Sequence, residues 1–260
     1  MAKGTHVLLY QRAIEGIGLV LSECWKVYTN TNDNCCVFSN CSTHFCDVFY
    51  VPFARGDSIN PGVYSINSKP FGISYGNWTA KWEQWLLSEP QVTNPATDQT
   101  GKNCGENQKG PVWFLAGTPG GTATRTCTIP AGKAILFGIT NNECSYSERP
   151  TLKTESDLAE CAKVQNNPTT NLQASVDGVN LQQLDKYRVT SPLFNLIFAV
   201  KNIFGSPVGT TQAVVDGWYG FLQPLPPGKH VVHFSGLTPA NPSTGQSNFS
   251  LDVTYNLLVQ

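Results

Sequence analysis

The chain has 260 residues, a length that fits one large β domain or two ordinary domains. Charged residues make up only 13% of it, about half of the roughly 25% that is usual in soluble domains, and it contains 23 Gly and 17 Pro. The formal net charge of -1 supplies no basic field, which excludes charge-driven binding to nucleic acid or to an anionic membrane. This composition favours a turn-rich extracellular β protein over a cytosolic helical enzyme.

The nine cysteines are too many for an ordinary cytosolic protein, in which thiols stay reduced, so they indicate an oxidising compartment. Five of them crowd the N-terminal region: Cys24, Cys35, Cys36, Cys41 and Cys46. For the four later cysteines we predict the disulfides Cys104–Cys127 and Cys144–Cys161, because each pair flanks a short excursion of the chain. In the chain-entropy model, each disulfide is expected to stabilise the folded state by about 3 kcal/mol because it closes a loop in the unfolded chain. Four unpaired buried thiols are the alternative.

Residues 1–60 form a cysteine-rich, Asn-rich appendage without sustained helical or strand periodicity. Lys3 and Arg12 precede the apolar run GIGLVLS, but Glu15 interrupts the apolar stretch and no clean small-x-small cleavage site follows, so this segment is a poor match to a signal peptide. The set Cys36, Cys41, His44 and Cys46 contains zinc-type ligands but lacks paired C-x-x-C knuckles, so we predict no metal and no cofactor. No run approaches the roughly 18 apolar residues of a membrane span.

A helix with three tryptophans is predicted from Gly76 onward. Trp78, Trp82 and Trp85 lie at i, i+4 and i+7 on one helix face. Asn77 is the predicted N-cap, and Pro90 ends the helix. An indole stripe of this kind is either a sugar-stacking platform or the buried face of a helix that packs on a sheet, and the packing interpretation is favoured.

Short strands separated by turns follow the helix. The segments PVWFLAG, ATRTCTI and AILFGIT read as consecutive sheet strands. TESDLAECAK is predicted to form a short helix, capped by Thr154 or Ser156 and pinned by the second disulfide. Asp177-Gly178 indicates a two-residue hairpin, and five further strand-like segments lead to the C-terminus. The fold class predicted for residues 61–260 is a single, mainly β, jelly-roll-like sandwich with two helical additions.

No nucleophile elbow, P-loop or H-E-x-x-H motif occurs in the sequence. The weak catalytic candidates are Asp98, Glu143, Asp216 and His233. For Asp98 the structural alternative is an Asx-turn, and for Asp216 it is an ion pair with Arg125 or Arg188. His230 and His233 are three residues apart, so in a regular strand they point to opposite faces and cannot chelate one ion.

The segment 71–142 combines GISYGNWTAKWEQWLLSEP, GPVWFLAGTPGG and RTCTIPAGKAILFGITNN. This text resembles a family of secreted microbial β proteins with the patterns YG-x-W-T-x-x-W-x-x-W, D-x-T-G-x-x-C, GPVWFLAGT and R-T-C-x-x-P-A-G-K-A-I. The resemblance extends to Val259 and implies a secreted, disulfide-bearing β fold, with no catalytic residues to carry over. The chain departs from the family pattern at Glu83, where Trp is common, and at Gly138, where Pro is common.

The functional expectation is a non-catalytic extracellular or cell-surface protein, either structural or binding a glycan or another ligand. The alternative is an extracellular hydrolase that acts on carbohydrate or a related polymer. A polysaccharide or cell-surface component is the expected partner, and self-association is compatible with the sequence. Nucleic acid is not expected as a partner.

Overall fold

The computed structural model of the chain describes residues 59–242, 245 and 247–260. Before residue 59 it describes the backbone of three strands: β1 (Lys26–Thr29), β2 (Cys35–Ser42) and β3 (Phe45–Pro52). These strands form an antiparallel sheet in the order β1-β2-β3. The chain divides into the units Met1–Ser58 and Ile59–Gln260. The residues considered above as possible zinc ligands, Cys36, Cys41, His44 and Cys46, lie outside the part of the chain whose side chains are described.

The second unit carries two helices and a series of strands. In chain order its elements are α1 (Tyr75–Leu87), β4 (Val112–Leu115), β5 (Gly121–Ile129), β6 (Ala134–Ser145), α2 (Glu155–Asn166), β7 (Thr170–Val176), β8 (Val179–Asn180), β9 (Arg188–Thr190), β10 (Phe194–Phe198), β11 (Gly209–Leu222), β12 (Gly228–Thr238) and β13 (Phe249–Val259). Short 3-10 turns at Pro70–Gly72 and Leu184–Tyr187 precede α1 and β9.

The strands of this unit form two five-stranded sheets. The first sheet has the order β10-β11-β6-β4, with β9 also paired to β11, and the second has the order β5-β13-β12-β7-β8. Two pairings are parallel, β4 with β6 and β5 with β13. The three segments that read as consecutive strands are therefore not neighbours in one sheet, because β5 crosses to the second sheet and leaves β4 and β6 to pair with each other.

A hydrophobic core lies between the two sheets. Phe137 of the first sheet stacks on Phe234 of the second, with ring centroids 4.9 Å apart. Along β13 alternate residues are buried, as expected for a strand with one face in a core. Val253 and Leu257 of β13 pack in the same cluster as Ile135 of β6. The predicted fold class, a mainly β sandwich with a tryptophan-bearing helix and a disulfide-pinned helix, is confirmed.

Helix α1 packs on the outer face of the first sheet. It begins at Tyr75, and Ser74 is its N-cap, because the Ser74 hydroxyl accepts a hydrogen bond from the backbone N–H of Asn77. The prediction that Asn77 caps the helix is therefore wrong: Asn77 already belongs to the first turn. The helix ends at Leu87, three residues before Pro90, which agrees with the prediction that this proline ends the helix.

Helix α2 and the β7–β8 hairpin follow the sequence patterns closely. Thr154 caps α2 in a reciprocal capping box with Asp157, and Leu158 is fully buried against the first sheet. Both predicted disulfides, Cys104–Cys127 and Cys144–Cys161, are present. Asp177 and Gly178 both have positive φ, which is the backbone that a two-residue type I′ hairpin requires.

Among the described residues, no helix has the length and apolar character needed to cross a bilayer.

Candidate functional site

The three tryptophans of α1 are buried against the first sheet. Each indole N–H donates to a backbone carbonyl: Trp78 to Pro70 at 2.9 Å, Trp82 to Leu115 at 3.0 Å and Trp85 to Glu106 at 2.8 Å. Their rings meet Phe114, Tyr219 and Phe221 edge-on or tilted. A buried indole has no free face for a sugar ring, so the sugar-platform interpretation is corrected to a packing role.

Asp98 organises the backbone of its own loop. One carboxylate oxygen accepts hydrogen bonds from the N–H and hydroxyl of Thr100, and the other accepts from the N–H of Asn103. Partial burial opposes ionisation, but these hydrogen bonds prevail and hold the pKa of Asp98 below its usual value. The Asx-turn alternative therefore describes Asp98, whose carboxylate is fully used by the loop.

Arg125 connects that loop to the second sheet. Its guanidinium is buried and donates to the backbone carbonyls of Ala96, Asp98, Ala116 and Gly117 and to the hydroxyl of Tyr255. Nε and Nη2 each make one of these bonds, whereas Nη1 lies within hydrogen-bond distance of three acceptors, so the buried cation is surrounded by neutral oxygens. Arg125 is thus a structural anchor of the loop region.

Asp216 is the buried end of an ion pair with Arg188. The Nη2 and Nε atoms of Arg188 lie 2.7 and 2.8 Å from Oδ1 of Asp216, and Oδ2 accepts a hydrogen bond from the hydroxyl of Thr190 at 2.8 Å. The Arg188 guanidinium also stacks over the ring of Trp218, 4.7 Å from its centroid. Of the two arginines weighed for Asp216, Arg188 is the partner, and the network fixes β9 and α2 to β11.

The two histidines of β12 belong to separate pairs on opposite faces. His233 Nε2 lies 3.1 Å from Asp252, on the exposed side of the second sheet. His230 lies 2.7 Å from Asp177, and this hydrogen bond raises the pKa of His230. Among the contacts of the described residues, Asp98, Glu143, Asp216 and His233 therefore have no hydrogen-bond or ion-pair partner in common.

Glu143 lies instead in a group that the sequence did not indicate, which we call the carboxyl cluster (Glu83, Glu143 and Glu148). Glu83 comes from α1, Glu143 from β6 and Glu148 from the loop after β6. Glu83 accepts a hydrogen bond of 3.0 Å from the amide of Asn141. Glu148 accepts bonds of 2.6 Å from the hydroxyls of Ser145 and Ser206.

Burial and mutual repulsion keep protons in this cluster. Burial, and then the charge of Glu148, raise the pKa of Glu83 to about 8. Burial raises the pKa of Glu143 well above its usual value, and a direct hydrogen bond with Glu148 adds to the effect. Two carboxyl groups in contact share one proton, because both cannot ionise at low cost. At neutral pH Glu83 is therefore mainly a neutral acid, and the raised pKa of Glu143 favours its neutral form as well.

An irregularity in β6 turns Glu143 toward α1. Opposite Trp218 and Tyr219 of β11, β6 carries one extra residue, Ile139, and the register shifts. Strict alternation would send Asn141 and Glu143 into the core between the sheets with Phe137. The bulge reverses the faces after Ile139, so these two side chains point to the helix layer.

Both departures from the family pattern meet beside this cluster. A Cβ atom at Gly138 would lie 2.8 Å from the side-chain oxygen of Asn141, 3.3 Å from the Tyr219 ring and 3.4 Å from the Trp82 ring. The amide of the same Asn141 donates to Glu83. The Tyr219 hydroxyl is fully buried without a hydrogen-bond partner among the described residues, and so is one oxygen of Glu143. The sequence signal for Glu83 was its departure from the family pattern, in which Trp is common at this position; Glu148 had no such signal.

The part of the chain with described side chains contains no group of three or more His, Cys, Asp or Glu residues arranged to hold a metal ion.

A second feature is exposed rather than buried. We call it the apolar tip: the large side chains exposed at the β10–β11 hairpin and in the neighbouring turn after α1, namely Val92, Ile197, Val200, Phe204 and Val208. Their exposed fractions are 84%, 56%, 67%, 57% and 61%. These are five of the ten large apolar side chains that are exposed among the described residues. The two loops are in contact, because the backbone N–H of Gln91 donates a hydrogen bond to the carbonyl of Lys201.

The hairpin loop of the apolar tip is held from inside by Asn202. The buried Asn202 amide donates to the carbonyls of Ala199 and Ser206, and its oxygen accepts from the N–H groups of Phe204 and Ser206. These four bonds fix the loop backbone, so the exposed side chains are presented on an ordered support.

No protein-family model and no curated protein matches the chain. Among solved structures, the chain is similar to a crystal structure of a cysteine protease inhibitor from Entamoeba histolytica, at 13% sequence identity and a TM-score of 0.20. That alignment covers 56% of this chain and 94% of the inhibitor. A likeness this distant carries no argument, and the family resemblance drawn from the sequence motifs stays a prediction.

Proposed function

We propose that this chain is a non-catalytic extracellular protein that attaches to a cell-surface component through the apolar tip. The observation that carries the proposal is the grouping of exposed Val200, Phe204 and Val208 on one ordered loop. Single exposed apolar residues are normal on protein surfaces, but a group of them is typical of an interaction site.

Two further features support an extracellular binding role. The disulfides Cys104–Cys127 and Cys144–Cys161 are compatible with secretion. The polar residues first considered for catalysis mostly have structural partners: Asp98 binds its own loop and Asp216 binds Arg188. The apolar tip, by contrast, leaves five large apolar side chains exposed to solvent.

The test measures binding of the full chain to washed cell envelopes of the producing organism. We expect the wild-type protein to sediment with envelopes and the Phe204→Asp variant to stay in the supernatant. Val179→Asp is the matched control, because Val179 is equally exposed on the β7–β8 hairpin, away from the apolar tip. Absence of wild-type binding, or equal loss in both variants, would refute the attachment role. Binding to a glycan array that survives Phe204→Asp would assign the partner site elsewhere.

A hydrolase remains the second candidate, because burial and the neighbouring Glu148 raise the pKa of Glu143, as is typical of a general acid. Hydrogen-bonded carboxyl groups are closer than the roughly 5.5 Å or 6.5 to 9.5 Å that glycosidic cleavage requires, so carbohydrate fits this pair poorly. Incubation with labelled polysaccharides and labelled casein between about pH 4 and pH 8 tests it. Cleavage that Glu143→Gln abolishes, in a protein that remains folded, would replace the non-catalytic proposal.

A further inference from the structure

We propose that the partner of the apolar tip is a lipid bilayer, which the tip enters by hydrophobic insertion. This inference rests on the proposed attachment function and names the chemistry of its partner. The membrane would be bound peripherally, through side chains of loops.

The composition of the apolar tip favours lipid over a protein partner. Its members are three Val, one Ile and one Phe. Protein interfaces derive most of their binding energy from Trp, Tyr and Arg, whereas Val is under-represented among such residues. A glycan site needs aromatic faces together with hydrogen-bonding groups, and Phe204 is the single aromatic residue of the tip. Aliphatic side chains projecting from a loop suit the acyl-chain boundary of a bilayer.

The charge distribution around the tip also suits a bilayer. Between Pro192 and Val215 the sequence contains no Asp or Glu, and Lys201 is its one charged residue. In the neighbouring turn, Glu89 is buried and accepts a hydrogen bond from Asn107. The two loops of the tip therefore expose no carboxylate of their own, and Glu148 at the base of the tip is hydrogen-bonded to Ser206 and Ser145. Lys201 has a flexible stem that lets its ammonium reach headgroup phosphates.

The order of the loop lowers the cost of insertion. Asn202 satisfies the N–H groups of Phe204 and Ser206 and the carbonyls of Ala199 and Ser206 inside the protein. Backbone groups that already have partners carry no penalty when water is removed, which is the main obstacle to burying a loop in lipid. A loop fixed before binding also loses little conformational entropy.

The experiment is flotation of the full chain with phosphatidylcholine vesicles. We expect wild-type protein to float with the vesicles, and Phe204→Asp and Val200→Asp each to lower the partition coefficient by about tenfold or more, since each loses a buried apolar side chain and adds a charge. Val179→Asp is the control and should bind as the wild type does. Because Lys201 is the one charged residue of the β10–β11 hairpin loop, binding should change by less than about threefold between 0.1 and 1 M NaCl.

The outcomes separate the two proposals. Envelope binding that depends on Phe204, without binding to vesicles, overturns the lipid inference and leaves the attachment function standing. Failure to bind either envelopes or vesicles overturns both. Loss of vesicle binding in Val179→Asp as large as in Val200→Asp, or loss at high salt, also overturns insertion through the tip. An unchanged urea midpoint for each variant excludes misfolding as the cause.

Discussion

The hydroxyl of Ser206, at the base of the apolar tip, donates a hydrogen bond of 2.6 Å to Glu148 of the carboxyl cluster. Glu148 lies 58 positions earlier in the sequence and also accepts a bond from Ser145 at the end of β6. The tip and the cluster are therefore joined through one carboxylate. Loosening either group is expected to affect the other.

Ser206→Ala tests this connection. Removing the hydroxyl leaves one Glu148 oxygen without its donor, so we expect a loss of about 1 to 2 kcal/mol in the free energy of unfolding. Hydrogen exchange should quicken in residues 199–208 and stay unchanged in α1. Ser247→Ala, at an exposed position, is the control. Exchange in 199–208 that matches the wild type would show that Glu148 does not hold the loop.

Glu83 should make the protein less stable as the pH rises. Its pKa in the folded protein is about 8, above the usual value of 4.5. The folded state thus holds this proton more tightly than the unfolded state does, and the resulting stability is complete below about pH 4.5 and is lost as the pH rises through 8. We expect Glu83 to account for a loss of about 3 kcal/mol between about pH 5 and pH 8.

Urea unfolding at several pH values measures the effect of Glu83. Glu83→Gln keeps a hydrogen-bond acceptor for Asn141 and cannot ionise, so its stability should fall less with pH, and it should exceed the wild type at pH 8. Glu160→Gln, on the exposed side of α2, is the control. Parallel stability profiles for Glu83→Gln and the wild type would contradict the raised pKa.

Arg125→Lys should destabilise the protein severely although it keeps the charge. A lysine ammonium cannot reach the carbonyls of Ala96, Asp98 and Ala116 at once, so buried carbonyls lose their donors. The expected cost is about 3 kcal/mol or more. Arg149→Lys, at an exposed position, should cost less than about 0.5 kcal/mol. Equal urea midpoints for the two variants would contradict the anchoring role.

The two disulfides should be present in the purified full chain. Alkylation in denaturant without reductant, followed by peptide mapping, should leave Cys104, Cys127, Cys144 and Cys161 unmodified. With sequence separations of 23 and 17, replacing either pair by serine should cost about 3 kcal/mol. Alkylated Cys104 or Cys144 in the oxidised protein would contradict the pairing.

Local sequence patterns determined much of this fold, because the forces behind them act over a few residues. The spacing of Trp78, Trp82 and Trp85 indicated one buried helix face, the capping signal at Thr154 marked the start of α2, and Asp177-Gly178 defined a hairpin. Short loop closures between Cys104 and Cys127 and between Cys144 and Cys161 made the pairing predictable. The start of α1 was missed by one turn, since Ser74 and Asn77 are both good capping residues.

Only the tertiary structure decided which side chains meet. The carboxyl cluster joins Glu83 to Glu143 from 60 positions away because the extra residue Ile139 in β6 reverses the faces of Asn141 and Glu143, and an alternating pattern cannot reveal such a bulge. The apolar tip likewise depends on which side chains of the β10–β11 hairpin the fold leaves exposed. From sequence alone Val200 reads as the end of the strand-like segment LFNLIFAV, since hydrophobic residues look alike whether the fold covers them or leaves them exposed.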